Sequence, residues 1–495
     1  MWCQRKLLAS LAAFAVILTA KAADTPAEAV LRSPETTAAL DYRFSDADQA
    51  LLDEVQFACF QYFWKEVGSP AKLVKDRMKG PVSSIAAVGF QLSSLPIGVE
   101  RQWITREEGR QRALTVLRSL YGREDNKKFG VYLHFVDLNT AGLAHEGYEI
   151  LASTVDHALF LAGAITVGEY FGGDVDALVD RFVADTNWKA FAAGPDGFLS
   201  MGWQPDDPNN LAGPGKFHDS RWDMASDEER LIYFLAAGSP NADHAIEPEL
   251  YYRLKRPIKA HKDMPPYVVS WPGALFTYLF SHCWIDYRTL GADEPARFKV
   301  DTPRVDWVEN SRRAVLTHRA RCLEQADRLH TLGSDRWGLS ACSARDGYIV
   351  PQVRPNLSDT DEWFEGTVAP YAAITAMMFT PAESMAALRA FRELKGADGK
   401  ALIWRDPRAG GYGLVDSFNL DQKFVCDDYV GIDVGPMLLA IENARTGRIW
   451  KLFMGHECVK RAVERLRLGP RPRGAGSVLE NRYTGRRSVN CDAPG

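Results

Sequence analysis

The sequence predicts an all-helical chain, on three observations. Apolar residues recur at the spacing of one helix face over long runs, and several of those runs open with a capping side chain and an acid three residues on. Strand-like alternation is confined to two short stretches, "GVYLHFVDL" and "DGYIVPQV".

In chain order, the first helical run covers Asp46 to Val67. Thr105 with Glu108 opens "TREEGRQRALTVLRSLY", and Ser153 with Asp156 opens "STVDHALFLAGAITVGEYF". Further runs cover Val175 to Phe191, Asn310 to His330 and Gly435 to Leu468. Thr380, Pro381 and Glu383 give "TPAESMAALRAFREL" a cap, a proline at the first helical position and a closing acid. Ser226 and Glu229 fit a capping box ahead of the apolar run Leu231 to Leu235. The total is about ten to twelve helices, joined by loops rich in Gly, Pro and Asp.

Residues 1–22 read as a cleavable secretory signal, with Arg5 and Lys6 ahead of an apolar run and Ala20-Lys21-Ala22 as cleavage pattern. An extension over 23–44, one large domain over 45–468 and a basic, Gly- and Pro-rich disordered tail over 469–495 follow. The expected location is the periplasm or exterior, with no membrane span and a monomeric state. Among 495 residues, 59 Lys and Arg stand against 64 Asp and Glu, a net charge of -5 that offers no footprint for nucleic acid or anionic membrane and favours a neutral ligand. Cys3 leaves with the signal. The other seven of the eight cysteines are scattered without CxxC spacing and read as buried thiols, with an occasional disulfide open to them.

No GxSxG elbow, phosphate loop, HExxH or dinucleotide fingerprint occurs. "HEC" at His456 to Cys458 reads as a chance grouping and "SDTDEW" as an acidic loop, so no metal and no cofactor is expected. What the chain does offer is carboxylates beside aromatics: Asp137, Glu146, Glu149, Asp156, Asp223 to Glu229, Glu365, Asp416, Asp427, Asp428 and Asp433, close to Trp203, Trp222, Trp284, Tyr412 and Phe418. A glycan cleft needs aromatic platforms for sugar faces, and glycoside hydrolysis needs one protonated and one ionised carboxyl group.

Ordered blocks from "SSIAAVGFQLSSLPIGVERQWITREEGRQRALTVLRSL" through "STVDHALFLAGA", "MGW", "RWD", "YFLAAGSP", "WGLSA", "GTVAPYAAITAMMFTPAESMAALR" and "YGLVDSFN" to "GIDVGPMLLAIENARTGRIWKLFM" resemble the glycoamylase-like domain, a group that includes glycoside hydrolase family 144, the bacterial endo-β-1,2-glucanases. The resemblance implies an (α/α)6 toroid and an endo-acting, anomer-inverting hydrolase of β-1,2-glucan that releases sophorose-type oligosaccharides. It implies Glu228 as general acid, with Asp227 as fallback, and Asp433, Asp416 or Asp156 as general base. Glu149, Asp137, Trp203, Arg221, Trp222, Asp227, His282, Trp284, Glu365, Tyr412, Phe418 and Asn419 are the expected sugar-binding residues. Two positions depart from the family pattern: Leu151 stands where a glutamate is usual, with Glu149 the nearest acid, and Cys342-Ser343 replaces Ser-Asp after "WGLSA". A transferase or exo-acting enzyme of the same fold, a glycan-binding protein without catalysis and a polysaccharide lyase remain the alternatives.

Overall fold

The computed structural model of the chain describes residues 29–469, apart from residues 146, 193 and 209. The signal segment and most of the tail, including the position of Cys491, lie outside the described residues, as does Glu146.

The fold is an (α/α)6 toroid in a single large domain. Its inner wall contains the helices Ile85–Glu100, Thr154–Phe171, Asp227–Ala237, Pro370–Thr375 and Gly431–Thr446, each buried over most of its length. A helix that is apolar all round has no solvated face and belongs inside. The short turns Leu275–Tyr278 and Ser281–Cys283 continue this wall against the Asp227–Ala237 helix. Helices with one buried stripe, such as Arg106–Tyr121, Gly173–Asp185 and Pro381–Glu393, pack outside it. The helices Ile85–Glu100 and Thr154–Phe171 cross where Gly89 meets Gly163: a Cβ on Gly163 would lie 1.9 Å from the Gly89 carbonyl oxygen, so only glycine permits this approach.

The Thr105–Glu108 capping box forms as expected. Several expectations change: Thr380 makes no side-chain cap, and the run expected over Asn310 to His330 is the helix Trp307–Glu324. Ser226 makes no side-chain cap, and its hydroxyl is buried without a partner. The run from Gly435 to Leu468 is three helices, Gly431–Thr446, Arg448–Gly455 and Glu457–Arg465. Gly447 adopts a left-handed conformation and His456 an extended one, and each stops a helix. The run from Val175 to Phe191 ends as a helix at Asp185, with a separate short turn at Trp188–Phe191. The extension is not a free arm, because Val30 bridges Val305 and Arg32 pairs with Asp306, tying it to the wall at the Trp307–Glu324 helix.

Strands are short and gather at helix starts. Val82–Ser84, which leads into Ile85–Glu100, pairs with Phe135–Asp137. Ala152–Ser153, which leads into Thr154–Phe171, pairs with Gly202–Gln204. These pairings bring the loops before two inner helices to one end of the toroid. Among the described residues no helix is long and apolar enough to cross a membrane, and the six described cysteines are buried and free of disulfides.

Candidate active site

The carboxylates singled out by sequence sit in the first turns of inner helices: Asp156 in Thr154–Phe171, Asp227, Glu228 and Glu229 in Asp227–Ala237, and Asp433 in Gly431–Thr446. Backbone N–H groups and the positive end of each helix face this end of the toroid and favour ionised acids there. Burial works against them.

Glu228 makes no hydrogen bond or ion pair among the described residues, and part of its surface stays open. Burial, then the charges of Asp156 and Asp227, push its carboxyl up to about 8, so it carries a proton at neutral pH. Asp156 is nearly buried, accepts a bond from Ser153 Oγ at 2.5 Å and faces His134, whose Nε2 is 3.7 Å away. The other ring nitrogen, Nδ1, meets Glu149 Oε1 at 2.5 Å. Glu149, His134 and Asp156 thus form a line that ends beside Glu228, and Glu149 reaches the site through the histidine.

Asp416 and Asp433 form a second group. Asp416 Oδ2 accepts from the Ser343 N–H at 2.7 Å, and Arg77 donates to Ser343 Oγ at 2.7 Å while lying over the Tyr348 ring. Asp416 Oδ1 and both oxygens of Asp433 are buried and meet no donor at hydrogen-bond geometry. Burial and the adjacent Asp416 raise Asp433 well above the carboxylate range; burial also raises Asp416, but the Asp433 carboxyl, the Ser343 N–H and Arg77 oppose it. Two such acids titrate as a pair, one keeping a proton. Asp76 stands between the groups: its charge acts on His134 and Asp156, and its carboxylate is 3.7 Å from Arg77. Its backbone accepts from Gly431 N at 2.8 Å, anchoring this loop at the start of the Asp433 helix.

Other expected site residues lie elsewhere. Asp227, the fallback acid, is fully buried, ion-paired to Arg230 and bonded by Ser281. Trp203, Trp284 and Phe418 are fully buried and cannot lie under a sugar. Their indole or ring edges are used inside, Trp203 Nε1 on Pro214 O, Trp284 Nε1 on Ser93 Oγ and Phe418 against Phe391. His282 is buried, bonded to Ser311 and held neutral by burial and by Arg230. Tyr412 donates to Glu66 at 2.6 Å within an aromatic cluster, and Asn419 donates to the Glu365 carbonyl at 2.9 Å. Asp137 holds a turn through Asn139 and Thr140 and meets His145 at 3.1 Å. The Glu365 side chain is exposed, and Arg221 folds back on His218 O. Trp222 alone of the expected tryptophans combines an open face with a place at the site: its Nε1 donates to Thr154 Oγ1 at 2.7 Å.

Sequence reasoning missed His134, Asp76, Arg77, Ser343 and the partly buried rings of Phe135, Tyr148 and Tyr348. Phe135 stacks on His134 at 3.8 Å and meets Tyr148 at 5.3 Å. The strand-like alternation in "GVYLHFVDL" marked the segment that carries His134 and Phe135 without indicating its place at the site. A different group, Glu169, Asp176 and His456, brings potential metal ligands within 4.8 Å of one another. It lies toward the opposite end of the Thr154–Phe171 helix, roughly 20 Å along the axis from Asp156.

Residues 219–457 match the family model described as "Putative glucoamylase". The match takes in just under half of the chain, which over that stretch resembles the glycoamylase-like group. It is 27% identical over 472 residues to an exo β-1,2-glucooligosaccharide sophorohydrolase (non-reducing end) of Parabacteroides distasonis, covering 87% of this chain and 59% of that protein. The chain therefore spans little more than half the length of this curated relative. Among solved structures, a "putative glucoamylase" of Bacteroides uniformis superposes with a TM-score of 0.70 at 26% identity, covering 86% of this chain and 98% of that one. An endo-β-1,2-glucanase of Chitinophaga pinensis, solved with sophorotriose and glucose, superposes with a TM-score of 0.69 at 23% identity, covering 84% and 97%. The glycoamylase-like match thus contains Glu228, Asp416 and Asp433, while the line through His134 and Asp156 comes from the half of the toroid before it.

Proposed function

We propose that this protein hydrolyses β-1,2-glucan. The observation that carries the reading is Glu228, an acid without partner or cation that keeps its proton to about 8 at the mouth of a ring of helix starts. A general acid for a glycosidic oxygen needs that state at neutral pH. The Asp416–Asp433 pair supplies the second carboxyl group. Asp416, whose rise Asp433, the Ser343 N–H and Arg77 oppose, is the member proposed to take the proton of a nucleophilic water. Asp156 stays beside Glu228 and stabilises the positive charge that develops on the sugar. Trp222 offers an apolar face with its polar edge already occupied.

Water attack opposite the departing oxygen inverts the anomeric centre. The curated relative's printed activity supports the β-1,2 linkage. Endo attack is the mode proposed, giving a spread of oligosaccharide lengths, and exo attack would give a single short product from the start. Export on residues 1–22 is part of the proposal and predicts a mature chain beginning at Ala23, read by N-terminal sequencing.

The test is incubation of the purified protein with linear β-1,2-glucan and a panel of other glucans, following product length and anomeric configuration by NMR. Sophorose-type products born as the α-anomer are expected. No cleavage of any glucan, or products with ultraviolet-absorbing unsaturated ends, overturns the proposal.

A further inference from the structure

We propose that His134 is a positioning residue of this cleft: as a cation clamped between Glu149 and Asp156, it keeps Asp156 ionised against Glu228 and thereby fixes which acid holds the proton. The inference rests on the hydrolase reading above and deepens it.

The geometry is built from three segments. His134 donates its backbone N–H to Leu151 O at 2.8 Å, and its carbonyl accepts from Ile85 N at 2.9 Å, so the residue is pinned between the starts of two inner helices. Its ring stacks on Phe135. Nδ1 points at Glu149 and Nε2 at Asp156, a carboxylate on each nitrogen, which is the arrangement an imidazolium satisfies with both N–H groups. Burial opposes the charge, but Asp156 and the bond from Glu149 outweigh it and lift the ring to about 9. Asp76 also faces His134 and Asp156, and His218 faces Glu149. Asp156 and Asp227 face Glu228.

The coupling runs in sequence. The imidazolium lowers the proton affinity of Asp156, and ionised Asp156 raises that of Glu228. Without the cation, Asp156 takes up a proton at higher pH and Glu228 loses part of the repulsion that holds its own. The two limbs of the activity profile then move toward each other.

The experiment compares wild type with His134→Gln, His134→Lys and Glu149→Gln on linear β-1,2-glucan across pH. His134→Gln is expected to raise the acid limb by about one pH unit and lower the alkaline limb. Its kcat should fall about tenfold or more, with KM changed less than about threefold. His134→Lys, which keeps a cation, should recover part of the separation between the limbs. A merely structural histidine would cost thermal stability and kcat in both variants and leave the limbs in place, which overturns the proposal. Histidine ring NMR gives a readout independent of turnover and of variant folding: in wild type the His134 ring should stay protonated beyond pH 8. A ring that titrates near its ordinary value overturns the inference. If wild type cleaves no glucan, the hydrolase reading falls, and the ring titration still decides the state of His134.

Discussion

Replacing Glu228 by Gln should abolish catalysis and stabilise the fold in alkaline solution, and the second effect follows from the first cause. In the folded chain burial, then Asp156 and Asp227, hold the carboxyl at about 8 against an ordinary 4.5. The folded state therefore binds a proton more tightly than the unfolded state, and stability is lost as pH rises from the lower value to the higher. At about 1.4 kcal/mol per pH unit, the gap amounts to about 5 kcal/mol when complete and about 3 kcal/mol at pH 7, both upper bounds because part of the side chain is open to water. Gln keeps the shape, carries no charge and escapes this loss. Denaturant unfolding of wild type and Glu228→Gln at pH 6 and pH 9 reads it: the variant should gain on wild type by a few kcal/mol between the two. On β-1,2-glucan the variant should lose about 10²–10⁴-fold in kcat while still binding glucan, and wild-type kcat/KM should fall as pH rises through about 8. Equal unfolding curves at both pH values, or a variant retaining a tenth or more of wild-type activity, would refute the reasoning.

Asp416→Asn, which removes the pair's ionised member, should lower kcat by about 10²–10⁴-fold without unfolding the chain, measured by rate and Tm together; unchanged kcat there with a loss in Asp156→Asn would move the base to Asp156. Asp227→Ala leaves the buried Arg230 guanidinium without its carboxylate and should cost about 3–5 kcal/mol by denaturant unfolding, a defect of the fold. Trp222→Ala should raise KM about tenfold with kcat little changed, whereas Trp203→Ala should cost about 3–5 kcal/mol of stability through the cavity it leaves, compared by kinetics and melting.

Helix starts were legible where the signal is local. Thr105 and Glu108 sit three residues apart and need only each other, so the capping box read from sequence is the one that forms. Ser226 and Glu229 have the same spacing, yet burial of that helix start against its neighbours leaves the serine hydroxyl unbonded. The acids of the inner helices were legible because each stands in a first turn, and the first turns converge. The aromatic platforms were not, because nearness to an acid in sequence says nothing of which face a ring presents. Trp203 and Trp222 lie in the same rim region and differ only in tertiary packing, one under Gly215 and the other over Thr154. His134 escaped because its meaning comes from Glu149, fifteen residues on, and from a helix start beyond that. Arg77 escaped for the same reason, since Ser343 and Asp416 reach it only when the toroid closes.

One rule organises the acids of this end of the toroid. An exposed helix N-terminus stabilises an ionised side chain by about 0.3–1 kcal/mol, while burying an ion costs several, so the helix starts alone cannot keep this many carboxylates charged. Burial raises the acids that have a cation too, but there the cation opposes the rise: Asp227 has Arg230, Asp156 has His134, and Asp416 lies in the field of Arg77. Glu228, Glu229 and Asp433 have no cation beside them at bonding distance, and all three are pushed upward by burial and by neighbouring acids. Of these, Glu229 and Asp433 are almost wholly covered, whereas Glu228 keeps an open face. A proton donor must be protonated and reachable at once, and Glu228 meets both conditions, so the proposal of Glu228 as the acid rests on where the cations are placed as much as on the acid itself.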